Sequence, residues 1–223
     1  MGYMSKKKVL RVKADDSAMK KMYAKFSKIM GLIEKSEKSL RNRSINLLNL
    51  KKGDKVLEIG FGRGSALIQI SKIVGENGEV YGIDLTPEML EITHKNLTKH
   101  NISNVKITEG DGRDLPYKKD YFDAVYISST LELFDNPDIP VVLEEIKRVL
   151  KPQGKLCVVS IPKKNRESSL GVRLFEWSHT TFPKYASCRP IYVEDSIKNA
   201  GFKIIKAEVM GIFFPMKIII AIT

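Results

Sequence analysis

The sequence predicts an α/β domain built on a doubly wound, mostly parallel sheet that finishes with an antiparallel pair. Three observations carry that prediction. From Gly53 onward, short apolar runs alternate with stretches of helical periodicity, the pattern of strands joined by right-handed helical crossovers. The first apolar run leads into three closely spaced glycines, Gly60, Gly62 and Gly64. The last two runs are separated only by a short turn at Gly211, too little chain for a parallel crossover. A length of 223 residues suits one such domain with some decoration.

The elements follow in order. Residues 55–59 read as a buried strand, 60–64 as a turn, and 65–74 as a helix whose Leu67, Ile70 and Val74 share a face. Gly75 and Gly78 break that helix, and residues 79–84 form the second strand. Thr86 can cap the next helix, with Pro87 at its first position, where a missing N–H costs nothing. Strands follow at 105–108 and 122–128. A helix at 139–150 then leads through Pro152 and Gly154 to a strand at 155–160, and the closing pair occupies 202–208 and 213–222. Residues 209–223 are too few to span a bilayer and include Lys217, so they read as buried strand. Residues 1–50 look helical, and 161–193 form an insertion after the fifth strand, at the edge where open parallel sheets bind ligands.

Charge divides the chain. Residues 1–52 contain 15 Lys and Arg against 4 Asp and Glu, whereas 53–223 contain 23 against 22. The expected organisation is a basic helical segment (1–52) covering the site of a domain at 53–223. Such asymmetry suits an anionic partner, nucleic acid or membrane surface, or simply a solvated helix face. Two cysteines, Cys157 and Cys188, suit a reducing compartment. Lys6, Lys7 and Lys8 have no apolar run behind them, unlike a secretory signal. A cytoplasmic protein, with peripheral membrane contact as an option, is the expectation.

The glycine turn lets backbone approach a ligand at a helix N-terminus, and Glu58 precedes Gly60 by two residues. Asp84 ends the second strand, where an acid can accept from both hydroxyls of a ribose bound at the switch point. A dehydrogenase site shares both features, although its glycines follow G-x-G-x-x-G rather than the G-x-G-x-G seen here. Further segments narrow the choice: Glu109 to Pro116 with Asp111 ahead of Leu115-Pro116, Phe122-Asp123-Ala124-Val125, and Glu144 to Gly154. Through these segments the chain resembles class I methyltransferases over residues 50–160, most closely the ubiquinone/menaquinone-biosynthesis type.

That resemblance implies a Rossmann-like sheet of order 3-2-1-4-5-7-6 and S-adenosylmethionine as cofactor, leaving as S-adenosylhomocysteine. Glu58 and the Gly60, Phe61, Gly62 and Gly64 loop would hold its methionine end and ribose. Asp84 would bind the ribose hydroxyls and Leu85 pack on the adenine. Asp111 would accept from the adenine amino group beside the Gly112 amide, and Ser128 would border the methionyl part and the acceptor. Methyl transfer asks mainly for alignment and dryness, so a general base depends on the acceptor.

Several subclasses fit poorly. Nucleobase amino methylation expects an Asn/Asp-Pro-Pro-aromatic turn after the fourth strand, where this chain has Ile127 to Glu132. Cytosine methylation needs a nucleophilic cysteine, but Cys157 falls within a buried strand. A metal is not expected, because the strand ends present Ser128 and Ser160 rather than clustered carboxylates.

The insertion concentrates Phe175, Trp177, His179, Phe182 and Tyr185, which suits a lipophilic or ring-containing acceptor. His179 or Tyr185 can serve as a base, or both simply pack a lid. Arg173 and Arg189 can meet a phosphate or carboxylate. In the basic segment, Met19, Tyr23, Phe26, Met30 and Ile33 fall at helical spacing, giving a pocket cover or a membrane-surface helix; Tyr23 is the leading acceptor contact. After the fifth strand, Val159 to Lys164 departs from the quinone enzymes' acidic-aromatic-Ser segment, so the acceptor stays open. The alternatives are a phospholipid headgroup amine, RNA, or hydride chemistry with a nicotinamide. No aromatic signature for RNA accompanies the lysines.

Overall fold

The computed structural model describes residues 9–12, 17, 37–181, 188–211 and 215–223. Helix α1 (Lys38–Leu48) precedes β1 (Lys55–Ile59), α2 (Ser65–Val74), β2 (Glu79–Asp84), α3 (Pro87–Lys99), β3 (Val105–Glu109) and β4 (Phe122–Ser128). A 3-10 turn (Leu131–Leu133), α4 (Asp138–Val149), β5 (Leu150–Ser160), α5 (Leu170–Thr181), α6 (Val193–Asn199), β6 (Lys203–Met210) and β7 (Met216–Ile222) follow. The strands form one sheet of order β3-β2-β1-β4-β5-β7-β6, parallel through β5, with β7 antiparallel to both β5 and β6.

Alternation along each central strand builds two cores. Leu57, Ile59, Val125, Ile127, Leu156 and Val158 face α4 and α6, which contribute Val142, Leu143, Ile146 and Ile197. Val56, Ala124, Tyr126, Cys157 and Val159 face α1 and α2, which contribute Ile45, Leu48, Leu67, Ile70 and Val74. A strand covered on both faces must be apolar on both, which is why β1, β4 and β5 read as continuous hydrophobic runs. Cys157 is fully buried in that second core, and burial pushes its thiol upward, out of the nucleophilic range. Across the same face the Tyr126 hydroxyl pairs with Ser44 of α1 at 2.9 Å.

Two segments differ from the sequence expectation. Strand β5 begins at Leu150 rather than 155, because Leu150 already pairs with Phe122 across a register shift. The segment expected to be helical through 1–50 holds α1, but residues 9–12 have no regular secondary structure. Their backbone groups are spoken for elsewhere: Val12 N–H donates to Asp135 at 3.1 Å, and Val9 carbonyl accepts from Asn136 at 3.2 Å. The rest of the basic segment, including Tyr23, Phe26 and Met30, lies outside the described residues.

Opposite the ligand-binding edge, Tyr81, Tyr117, Tyr121 and Phe122 meet edge-to-face at centroid separations of 5.0–5.7 Å. Glu79 sits among them, and bonds from Lys106, Lys55 and Tyr81 hold its carboxyl down at about 2. A depressed carboxyl stabilises the fold above its unfolded value of 4.5 and loses that contribution as pH falls toward 2. Because the group is partly exposed, screening limits the effect to about 0.5–1 kcal/mol. Chemical denaturation of Glu79→Gln should therefore show a smaller loss of stability across that acidic window than the parent, and an unchanged slope would remove the ion pairs from the stability balance.

Candidate functional site

The sheet order reverses between β1 and β4, and the strand ends there open the crevice in which doubly wound sheets take their ligands. Parallel register brings Ile59 level with both Ile83 and Ile127, so the glycine loop, Asp84 and Ser128 emerge side by side.

Each glycine of the loop has a separate reason. Gly60, at φ +74°, presses on β4's exit: a Cβ there would lie 2.3 Å from the Thr130 hydroxyl oxygen. Gly64, at φ +80°, starts α2, and a Cβ would lie 2.5 Å from Thr93 Cγ2. At Gly62 (φ +52°) a Cβ would meet nothing within 4 Å, so this side of the loop is open. Helix α3 braces the loop from behind, with the Thr93 hydroxyl donating to Gly62 carbonyl at 2.8 Å and Asn96 to Arg63 carbonyl at 2.9 Å. The Phe61 side chain is buried in the core against Gly82 and Leu67, so Phe61 serves the loop through its backbone rather than its ring.

Asp84 ties the loop to β2. One carboxylate oxygen accepts from Gly62 N–H at 2.9 Å and the other from Thr86 N–H at 3.0 Å. Burial pushes its pKa up, while the Gly62 and Thr86 amides oppose the rise. One of these bonds holds the glycine loop and the other the turn into α3, and the Thr86 side chain and Leu85 N–H also favour the charged form. Leu85 stands half-buried beside it.

Asp111 is engaged by its neighbour: Arg113 Nε reaches both carboxylate oxygens at 3.1 and 2.9 Å, and Arg113 extends to Asp138 at 3.1 Å. Beside it Gly112 lies under an aromatic ring, since a Cβ would approach Phe134 Cζ at 3.0 Å and Ile59 Cγ2 at 3.1 Å. Ser128 ends β4, and its carbonyl accepts from the Thr130 hydroxyl at 2.9 Å. Glu58 is buried on β1, and its charge helps raise the Tyr126 hydroxyl after burial has done so.

The proposed bases fare differently. His179 of α5 is buried, and its Nε2 meets the Arg11 carbonyl at 3.1 Å. A carbonyl partner makes that nitrogen the donor, leaving Nδ1 as the only basic position. His179 thus clamps the 9–12 strap, which Arg11 fastens from the other side through Asp135, with Nε at 2.8 and 2.7 Å. Tyr185 and Phe182 lie, like Tyr23, outside the described residues. Arg189, expected to meet an anion, is fully buried and donates to Phe134 carbonyl at 2.5 Å. Trp177 is 55% exposed, beside Leu170 at 76% and Leu174 at 45%; with spacings of four and three residues, these side chains form an outward apolar stripe on α5.

Comparison with known proteins agrees with this geometry. The methyltransferase-domain family model matches residues 50–191. A demethylmenaquinone methyltransferase from Staphylococcus carnosus is 36% identical over 132 residues, 59% of this chain and 52% of that protein. Its counterpart from Staphylococcus saprophyticus is 31% identical over 169 residues, covering 75% and 64% respectively. The match therefore spans between 52% and 64% of these two relatives' length. A SAM-dependent methyltransferase from Aquifex aeolicus superposes with a TM-score of 0.67 at 25% identity, over 94% of this chain and 99% of that one. Sheet order, glycine loop and family match together place the chain in the methyltransferase-domain family, in its class I, S-adenosylmethionine-dependent form.

Proposed function

We propose that this chain moves a methyl group from S-adenosylmethionine to a small, lipophilic, ring-containing acceptor. The observation that carries the cofactor half is the Gly62–Asp84 pair: a glycine with an open face, held by a largely desolvated carboxylate at the end of β2. These residues fit an adenosyl ligand. Asp84 would take the ribose hydroxyls, the Gly60–Gly64 backbone and Glu58 the ribose and methionine end, and Leu85, Asp111 and Gly112 the adenine. Ser128 would mark the boundary with the acceptor. The bound cofactor supplies an activated sulfonium methyl. The protein's work is then to fix the acceptor in line with it and exclude water, which suits a strap at 9–12 and helix α5 closing the same edge.

The acceptor half draws on two supports. The curated relatives described above are named for a demethylated quinone, a lipophilic ring. A cavity of about 620 Å³ lies between the strap, α4 and α6, lined by Val9, Ile139, Leu143 and Ile191, which offers apolar surface for such a molecule. Among the described residues no helix is long and apolar enough to cross a membrane. The Leu170, Leu174 and Trp177 stripe suits shallow contact with a lipid surface, from which an apolar acceptor would be drawn.

Two measurements test this reading. By calorimetry S-adenosylhomocysteine should bind and NAD should not, and Asp84→Ala should weaken the former by about 1.5–3 kcal/mol, the scale of hydrogen bonds to a charged acceptor. Tight NAD binding without any response to S-adenosylhomocysteine would reverse the assignment. Trp177→Ala should leave S-adenosylhomocysteine affinity unchanged while reducing co-sedimentation with anionic lipid vesicles by about 1–2 kcal/mol of partition energy; equal sedimentation of parent and variant would rule out the α5 stripe as a lipid contact.

A further inference from the structure

Where β4 and β5 end, four polar side chains are buried with hydrogen-bonding capacity unfilled among the described residues. Glu132, on the 3-10 turn, is fully buried; the Ser160 hydroxyl and the Ile161 N–H lie near its carboxylate, but neither oxygen completes a hydrogen bond of good geometry. The hydroxyls of Ser129 and Ser160 are likewise open, as are Nε and Nη1 of the fully buried Arg189. Ser129 also holds a left-handed backbone at φ +51°, an uncommon conformation for a residue with a side chain. Native interiors rarely leave such groups unanswered, and a buried ion without a close partner is among the costliest of them. Their shared position argues against four unrelated defects. Ser129 N–H bonds Val159 carbonyl at 2.9 Å, which joins the two strand ends. Thr130, the next residue, is the one that presses on Gly60 of the cofactor loop.

We propose that Glu132 is the proton acceptor of the methyl transfer, and that the ring hydroxyl of the acceptor completes this polar cluster. This deepens the methyl-transfer reading and rests on it. One proton leaves the acceptor for each methyl gained, and it ends on a carboxylate oxygen of Glu132. The electron pair it leaves behind forms the new bond to the methyl carbon, from oxygen or through the conjugated ring from carbon. The carbon–sulfur bond breaks with its pair remaining on sulfur, so charge and atoms balance without another reactant.

The surroundings suit a base working near neutrality. Burial pushes the Glu132 carboxyl up to about 7; the Ser160 hydroxyl, the Ile161 N–H and the charge of Arg189 temper that rise. The remaining groups that face it are Cys188, whose thiol is held neutral by burial and by Glu132 itself, and, through Arg189, Asp135 and Arg11. The charge of Arg189 favours the carboxylate form, and Glu132 gives up its charge when it takes the proton.

The test uses the full chain saturated with S-adenosylhomocysteine and two probes, a naphthol and its methyl ether, with affinities read by calorimetry against pH. Wild type should prefer the naphthol by about tenfold, and the preference should fade as pH drops below about 7. Glu132→Gln should abolish the preference with S-adenosylhomocysteine affinity retained. Ser160→Ala, which spares the carboxylate, should keep the preference and move its pH midpoint upward, since the hydroxyl is one of the groups lowering it. If S-adenosylhomocysteine binds wild type but the two probes bind equally, or if the naphthol preference survives Glu132→Gln, the proposal is wrong and the cofactor assignment stands. If S-adenosylhomocysteine does not bind wild type, the methyl-transfer reading falls and this proposal falls with it.

Discussion

The hydrogen bond from Gly62 N–H to the Asp84 carboxylate is the contact on which the ligand edge depends. It joins the end of β2 to the loop leaving β1, so two strand tips become one surface. Thr93 then holds the opposite side of Gly62 through its carbonyl. With its N–H and C=O both committed to protein, the glycine can present only its bare Cα side outward, and a side chain there would both strain the backbone and fill the opening. Preorganisation of this kind lets a loop act with the precision of a strand. It also gives the acid at the end of β2 a structural role, as a latch for the loop.

Much of this was legible in the sequence because the signals were local. Apolar runs marked the strands since both faces of each central strand are covered, and the positive φ of Gly60, Gly62 and Gly64 leaves few other residues suitable. The antiparallel ending followed from chain length alone. What escaped was tertiary. Thr93 and Asn96 read as ordinary helix residues, and nothing nearby in the chain announces that they brace a loop some thirty positions earlier. Phe134 lies over Gly112 only because the loops after β3 and β4 converge beside the end of β1. His179 was visible as a chemically able residue, but its partner is the carbonyl of Arg11, 168 residues away. Arg189 was expected to meet a phosphate or carboxylate; it is buried within reach of the charges of Glu132 and Asp135 and also donates to the Phe134 carbonyl.

The strap shows how a weak contact can still organise a site. Arg11 is largely exposed, and a single surface ion pair to Asp135 contributes little to stability. The strap nevertheless has four separate ties, to Asp135 by side chain and backbone, to Asn136 and to His179. These ties connect the N-terminal chain, the loop after β4 and helix α5. Only the Arg11–Asp135 pair is exposed; the other three ties are partly buried, so together they hold the strap more firmly than a surface ion pair alone would.

The distribution of strain sharpens the functional reading. Along the central strands, pattern and burial agree, and the two cores on the faces of the sheet contain few polar groups. The disagreements gather at one edge: a left-handed Ser129, an orphaned carboxylate at Glu132, an incompletely partnered guanidinium at Arg189 and a buried hydroxyl at Ser160. A fold selected for stability alone would replace such groups with apolar ones of similar size, often at a gain. A concentration of such costs at one place is what a working site is expected to show. Here that place adjoins the glycine loop through Thr130. The cost is therefore concentrated beside that loop, where a ligand's own hydrogen bonds can offset it.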